Sequence, residues 1–451
     1  MQFRQAFFAL FVFLMTLFLQ DAVQAQSKAK PPVQPKKSYT LEQAVNQAME
    51  TNPSIESKLR MLENARMNVG VAQSYFWPRV SLVATTNHLK NYEEVETYNS
   101  DNLSSDNWSK GVRAQLNLFV GFAHLNNFQK SRLNVEVEAA RHKQARLELA
   151  CNVQLQFLQL LRLRQELKTA QDSVGRLKTQ LKSAESYVAV GMAPYVNVLQ
   201  NQTELAKAEQ QVIRLKNDLR NTQVQLNKYL GFSPESMIQY VGDLKKYPGT
   251  VGYTEQNAVK TAVRKRPDLI IAQKSVEMAW KDMHITMGRF LPRVDATYDN
   301  MSSSREYDDE LHYQGYTRNY WSAGLTFSWD VFSGGESTFQ TLADRKRAQS
   351  LQKDFEDAMN NAQAEVIRAL LDITAAKELI TASAEGIKAA RESYEMASTR
   401  YATHTGTITE LLDAQVRLTQ AEDDVSRAYA DFQSARARFF YYIGRENFGL
   451  K

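Results

Sequence analysis

Few residues of this 451-residue chain are placed to do covalent chemistry. Its six histidines are scattered, and the sequence holds no HExxH helix, no GxSxG elbow and no glycine-rich phosphate loop. The single cysteine, Cys151, excludes an intrachain disulfide and any cysteine-based metal cluster. It falls in a long helical pattern, where a packed, inert thiol is expected, and no cofactor or metal is called for. The titratable pair that stands out is Glu410 and Asp413, three apart in "TELLDAQ". On a helix that spacing puts both carboxylates on one face. Such pairs are common on solvated helix faces and do not by themselves make a general acid and base, so no enzyme is expected. What the pair does depends on the elements that carry it.

Those elements follow an export signal. Arg4 precedes an apolar run from Phe7 to Leu19, with Val23 and Ala25 at the −3 and −1 positions of a cleavage site, so residues 1–25 read as a signal peptide. The run is shorter than the ~20 residues that span a bilayer. Gln26, not cysteine, follows the cut, and no lipid anchor is expected. No later segment resembles a membrane helix, and mean hydropathy is −0.46. An exported chain of this kind can enter a membrane only through β-strands. The net charge of +5 is concentrated in a Pro/Lys-rich linker, residues 26–38; removing its four lysines (28, 30, 36 and 37) leaves +1 for residues 39–451. Nucleic-acid binding therefore has no basis.

The body is written twice. "FWPRV" (Phe76–Val80) returns as "FLPRV" (Phe290–Val294), and "YTLEQAVNQAMETNPSI" from Tyr39 returns as "YTEQNAVKTAVRKRPDL" from Tyr253. "WSKGVRAQLNLFVGF" from Trp108 matches "WSAGLTFSWDVFSGG" from Trp321, and "LQNQTELAKAE" (199–209) matches "LDAQVRLTQAE" (412–422). Their order divides the chain into a first repeat (39–231), a bridge (232–252) and a second repeat (253–451). All ten prolines lie in the linker, the bridge or at positions 53, 78, 194, 267 and 292, leaving 122–187, 199–230 and 336–451 free for long helices. Leu160, Leu163, Leu167, Ala170, Val174, Leu177, Leu181, Ala184 and Val188 step by three and four, a coiled-coil seam. A helix over 122–187 would run about 100 Å, far longer than a compact globule needs.

Between the shorter first helix and the long one, each half offers two strands, about 79–90 and 108–120, then 293–301 and 320–331. From Trp108 the even positions are mostly apolar (Val112, Ala114, Leu116, Leu118) and the odd ones polar or small (Ser109, Gly111, Arg113, Gln115, Asn117). This is the pattern of a lipid-facing barrel strand and also of a half-buried strand in a soluble sheet; the export signal and the lack of a globular core between the rods favour the barrel. The connections near 91–107 and 302–319 are expected to be exposed outer loops. Pro78 and Pro292 mark where helix gives way to strand, with Phe76, Trp77 and Phe290 at a membrane boundary and Arg79 and Arg293 expected to meet lipid headgroups. Four strands cannot enclose a channel, so other copies must satisfy the sheet edges.

Over residues 39–451 the chain resembles the TolC-like outer-membrane efflux proteins. The duplicated frame, "RPDL" (266–269), the "FLPRV" junction, "DVFSGG" (330–335) and "RYATHTGTITELLDAQ" (400–415) carry the resemblance. It implies a mainly α protein with membrane β-structure: long periplasmic helical hairpins forming an α-barrel, and four strands per protomer of a twelve-stranded barrel in a homotrimer. It further implies a passive exit duct in the outer membrane and its lipid, partnered by a periplasmic adaptor protein and an inner-membrane transporter. Adaptor docking falls on the two hairpin turns, Gly191, Met192, Ala193 and Leu199 in the first, His404 and Leu412 in the second. His404 stands where the family has a glycine, with Gly406 two residues later, and this departure leaves the second turn's shape open. Glu410 and Asp413 match acidic positions that ring the periplasmic entrance. Tyr401 matches a tyrosine of the family's closing links, but Gly406 stands in place of its arginine and Asn197 in place of its aspartate. A charged latch of that type cannot form, and weaker contacts or different residues must hold the tip. The other reading of the rods is an exported coiled-coil structural or adaptor protein without a pore.

Overall fold

Asn52–Pro53 and Arg266–Pro267 divide the start of each half. In a computed structural model, which describes residues 38–91, 103–245, 252–308 and 316–445, the first half begins with β1 (Ser38–Tyr39), α1 (Leu41–Thr51) and α2 (Pro53–Ser74). The signal peptide and nearly all of the linker lie outside the described residues. Thr40 and Gln43 form a capping box on α1. Asn52 caps α2, and Pro53 sits in its first turn, where a missing N–H costs nothing. There follow β2 (Arg79–Asn91), β3 (Leu103–Val120), α3 (Ala123–Ala189), α4 (Val196–Tyr229) and β4 (Gln239–Tyr240). The second half repeats the order as α5 (Glu255–Lys265), α6 (Pro267–Met287), a 3₁₀ turn (Gly288–Phe290), β5 (Arg293–Asp308), β6 (Tyr316–Ser328), α7 (Glu336–Ala402) and α8 (Ile408–Tyr442). The single first helix expected in each half is thus a pair broken at proline.

The rods occupy the proline-free stretches, the last of which is divided by a proline-free turn at 403–407. α3 and α7 have 67 residues each, about 100 Å. Among the described residues no helix is long and apolar enough to cross a membrane. α3 packs on α4 and α7 on α8, and contacts between α3 and α8 join the two hairpins. Burial is strung along the rods rather than gathered in one core. One cluster (Tyr39, Val45, Phe157, Leu226, Tyr240) forms where the parallel pair β1–β4 crosses α3. A second (Val366, Phe432, Phe439, Ile443) lies on the α7–α8 hairpin, and a third (Leu177, Tyr401, Ile408, Leu411, Leu412) sits near its turn. Cys151 is buried in α3, and burial pushes its thiol up to about 11, an inert group as expected.

The four long strands form one antiparallel sheet in the order β2-β3-β5-β6, joining the halves through β3 and β5. β2 and β6 are its edges. The strands start where the prolines predict, at Arg79 and Arg293, directly after Pro78 and Pro292. They run further outward than hydrophobic alternation indicates. β3 begins at Leu103, β5 continues to Asp308 and β6 begins at Tyr316, so much of the two expected loops is sheet. The physical reason lies in register rows such as His88–Asp106–Glu306, which are polar on the face that is apolar lower down. A strand wetted on both faces loses its period-two signature while keeping its ladder. β6 also stops at Ser328, short of the expected 331, where the chain turns through Gly334 and Gly335, both at positive φ.

Candidate transport path and periplasmic tip

The sheet's two faces differ in kind. Register places Val80 beside Ala114, Tyr298 and Ala323, and Leu82 beside Val112, Asn300 and Trp321. Leu82, Trp321, Leu325 and Phe327 on this face are 79, 70, 73 and 65 % exposed, with nothing among the described residues covering them. The opposite face carries Arg113 on Asp299 at 2.6 Å and Arg293 on Asp295 at 2.9 Å. There, too, Asn117 donates to Asp295 and Arg305 to Asn107 Oδ1 at 2.8 Å. Strand parity also puts Arg79 and Arg293 on this polar face, because Arg79 lies opposite Gln115 and Arg293 is two residues from Asp295. The expectation that these two arginines meet lipid headgroups is therefore corrected.

Aromatic residues mark the junctions below the strands. Tyr75 stacks on His124 at 5.3 Å, Phe76 meets Phe128 edge-on, and Trp77 stays exposed. In the second half Trp329 donates its indole N–H to the Phe290 carbonyl at 3.1 Å, leaving Val331 and Phe332 exposed. Gly121 and Gly288 cross here. A Cβ on Gly121 would stand 2.0 Å from the Gly288 carbonyl oxygen, and one on Gly288 2.1 Å from that of Gly121.

At the far end, two turns reverse the hairpins. In the first, Gly191 takes φ +76°, and the Met192 N–H closes on the Tyr187 carbonyl at 2.8 Å. In the second, His404 takes φ +57°, and the Thr405 N–H closes on the Arg400 carbonyl at 2.8 Å. The two turns share a left-handed C-terminal cap, so His404 takes the conformation that Gly191 takes in the first turn. For a residue with a Cβ this conformation costs about 1 kcal/mol. The His404 ring lies 4.7 Å from Tyr187, which in turn lies 5.9 Å from Tyr401. Those contacts join the end of α3 to the end of α7.

The other residues expected at the tip are placed as follows. Met192 and Leu199 are 65 and 47 % exposed, and Ala193 is half-buried beside them. Leu412 instead packs inside the protomer at 7 % exposure, supporting the turn from within. Tyr401 is buried, which raises the pKa of its phenol, as does Tyr187; Asn197 pulls it down. The approach of Asn197 falls short of a well-formed hydrogen bond, and among the described residues the buried Tyr401 hydroxyl has no other partner. Glu410 is not alone: Arg400 lies 3.6 Å away, both side chains being about half exposed. Gly406 makes room for this pair, since a Cβ there would stand 2.9 Å from Arg400 Cβ and 3.2 Å from Glu410 Oε2. Asp413 is exposed along a groove shared with Leu199 and Thr203.

Just above the turns, a buried polar seam joins α3 to α8. Gln180 donates to Gln415 Oε1 at 2.6 Å, and Gln415 donates to the Ser173 carbonyl at 3.2 Å. Arg176 reaches Thr419 and Glu422 at 3.4 Å. Higher up the rods, α3 and α8 bring carboxyls together: burial, then repulsion from Glu166, pushes Asp423 up to about 7. Sequence reasoning missed this seam. Its side chains on α3 (Glu166, Thr169, Ser173, Gln180) are polar, and a search for apolar periodicity passes over them; the signal was the quoted "LLDAQ", whose glutamine enters the core.

This arrangement has clear counterparts. A family model described as "Outer membrane efflux protein" matches residues 44–232 and 258–445. The outer membrane protein TolC of Vibrio cholerae is 21 % identical over 397 residues, 87 % of each chain. The alkaline protease secretion protein AprF of Pseudomonas aeruginosa is 20 % identical, covering 88 % of this chain and 82 % of its own. Among solved structures, the outer-membrane channel OprN superposes with a TM-score of 0.79 at 19 % identity, over 90 % of this chain and 89 % of that one. The Campylobacter jejuni CmeC outer membrane channel also gives 0.79, at 15 % identity over 90 and 85 %. With two matched repeats that cover most of its length, the chain belongs to the outer membrane efflux protein family.

Proposed function

We propose that the protein is the outer-membrane exit duct of a tripartite efflux or type I secretion system. The observation that carries this is a four-stranded sheet with an uncovered apolar face and two open edges, set at one end of rods about 100 Å long. The apolar face suits lipid, and the edges β2 and β6 suit pairing with further copies. Three copies would supply twelve strands. The rods then extend through the periplasm, and the exposed surface at Gly191, Met192, Leu199 and His404 suits a periplasmic adaptor. Glu410 and Asp413 would face the entrance, with Arg400 tempering the first of them. An inner-membrane transporter supplies the energy in this scheme, since the duct's own residues offer no phosphate loop.

Extraction of membranes followed by sizing in detergent tests this reading. A detergent-requiring trimer is expected. A monomer that stays soluble without detergent overturns it and favours an exported coiled-coil protein without a pore. The chain's relatives include proteins named for alkaline protease secretion and for pyoverdine export, so either kind of cargo is consistent with this reading. A deletion strain, scored for sensitivity to toxic compounds and metals and for lost secreted proteins, identifies the cargo. At the tip, cysteines at positions 197 and 401 should lock conductance on oxidation; unchanged current would remove Tyr401 from the gate.

A further inference from the structure

We propose that residues 329–333 are a strand extension completed by the partner subunit. They pair with residues 79–82 of that copy, and Asp330 forms an ion pair with the partner's Arg79. This rests on the exit-duct reading, in which the sheet edges of three copies meet.

The two halves fold into the same hairpin. β5 repeats β2 at a spacing of 214 residues (Arg79 to Arg293), and β6 repeats β3 at 213 (Leu103 to Tyr316). Under these shifts all thirteen β2–β3 pairs fall on β5–β6 pairs. Arg79–Gln115 becomes Arg293–Ser328, and Asn91–Leu103 becomes Arg305–Tyr316. The β3–β5 ladder is then the seam between one hairpin and the next. In a closed ring of copies the following seam is β6 against β2 of the partner subunit, and the same shifts carry β3–β5 onto it. Arg113–Asp299 becomes Thr326 with the partner's Thr85, and Ala114–Tyr298 becomes Phe327 with the partner's Ala84. That register keeps Phe327 and Ala84 on the apolar face, where each lies within its own protomer. A slip of one residue would have put them on opposite faces.

The foot of the seam carries the argument further. Residues 116–120 of β3 lie beyond the last β2 pair and are held by β5 alone. Leu116 pairs with Ala296 and Asn117 with Asp295; after a bulge, Phe119 pairs with Val294 and Val120 with Arg293. The equivalent residues 329–333 have no strand beside them in the protomer, and there β6 stops at Ser328. They are irregular and exposed, Val331 at 77 % and Phe332 at 86 %. The missing neighbour explains the early stop. The shifts set Asp330 opposite the partner's Ser81 and Ser333 opposite the partner's Arg79.

Charge complementarity supports the same register. At the foot of β3–β5, Asp295 is engaged by Arg293 at 2.9 Å and accepts from Asn117 across the seam. At the other seam the acid has changed strands. Ser81 stands at the position of Asp295, Asp330 at that of Asn117, and Arg79 at that of Arg293. Each seam thus holds one arginine and one aspartate at its foot, on the polar face. Arg79 and Asp330 are exposed, and among the described residues neither is in an ion pair. Diagonal neighbours across an antiparallel pair are about 7–8 Å apart, within reach of an arginine side chain.

Two measurements on the full chain, purified in detergent, test the proposal. In the first, cysteine pairs T85C/T326C and A84C/F327C are oxidised and run on denaturing gels. Adjacent pairs are used because antiparallel ladders alternate close and wide pairs; the buried Cys151 stays in place. A covalent trimer is expected from at least one of them, and none from the slipped pairs V83C/T326C and N87C/T326C. In the second, R79D and D330R are compared with the charge swap R79D/D330R. Each single variant should lower the temperature at which trimers dissociate by several degrees, and the swap should recover at least half of the loss. A trimer that cross-links only in a slipped register overturns the pairing, and a swap no better than its two single variants combined overturns the ion pair. Protein that is monomeric in detergent and cross-links in no register overturns the exit-duct reading itself, a result distinct from a trimer with another seam.

Discussion

Single residues decide two features of this protein that no pattern search reaches. Gly121 and Gly288 cross where helix, strand and 3₁₀ turn meet, each filling the space another residue's Cβ would need. Gly288→Ala should cost at least about 2 kcal/mol, because the clash is with backbone rather than with a flexible side chain; chemical unfolding of the trimer measures it. Asp423 is the second. Its carboxyl, about 7 when folded against 3.8 unperturbed, holds a proton in the folded rods that the unfolded chain has lost. Stability from this group is therefore present at low pH and falls away as pH rises from about 4 to about 7. Asp423→Asn should flatten the fall in unfolding midpoint between pH 5 and 8 and raise the midpoint at pH 8. A variant as pH-dependent as the parent would assign that dependence elsewhere. Neither residue is legible in sequence, since a lone glycine or an aspartate on a helix shows nothing of what stands opposite.

At the scale of elements, legibility followed chemistry. The α3 seam facing α4 was visible because leucines mark it, and Leu163 and Ala170 are buried against Leu215. The stripe facing α8 was not, because Thr169, Ser173 and Gln180 mark it. The Gln180–Gln415 bond is buried, so removing one partner leaves an unsatisfied amide. Gln415→Leu should cost about 1–3 kcal/mol, and Gln180→Leu in addition should recover part of that; a double-mutant cycle on unfolding midpoints checks it. The strands show the same rule. Their apolar lower rows fixed their starting points after Pro78 and Pro292, and their polar upper rows hid how far they extend. On the exposed apolar face, Leu325→Arg should weaken assembly by about 2–4 kcal/mol if the residue sits at mid-membrane. Trimer yield in detergent reads this, with Thr326→Arg on the opposite face as the tolerated control.

As a whole molecule, the protomer is incomplete, and that incompleteness was readable. Duplication, export signal, proline spacing and strand alternation together describe rods ending in half-exposed strands, which is what the fold contains. The tip was less readable, because the family's charged link is absent and what stands there is aromatic and partly internal: Tyr187, Tyr401 and His404, with Arg400 on Glu410. Both open edges and the uncovered apolar face are explained at once if three sheets close into one barrel around a water-filled path. The most direct test is unitary conductance of the detergent-purified protein in a planar bilayer, without nucleotide. Stepwise ohmic insertions of uniform size, one for each trimer, are the predicted result. A purified, correctly folded protein that gives no conductance steps, even after the tip is opened by E410Q/D413N or truncation of the turns, would contradict it.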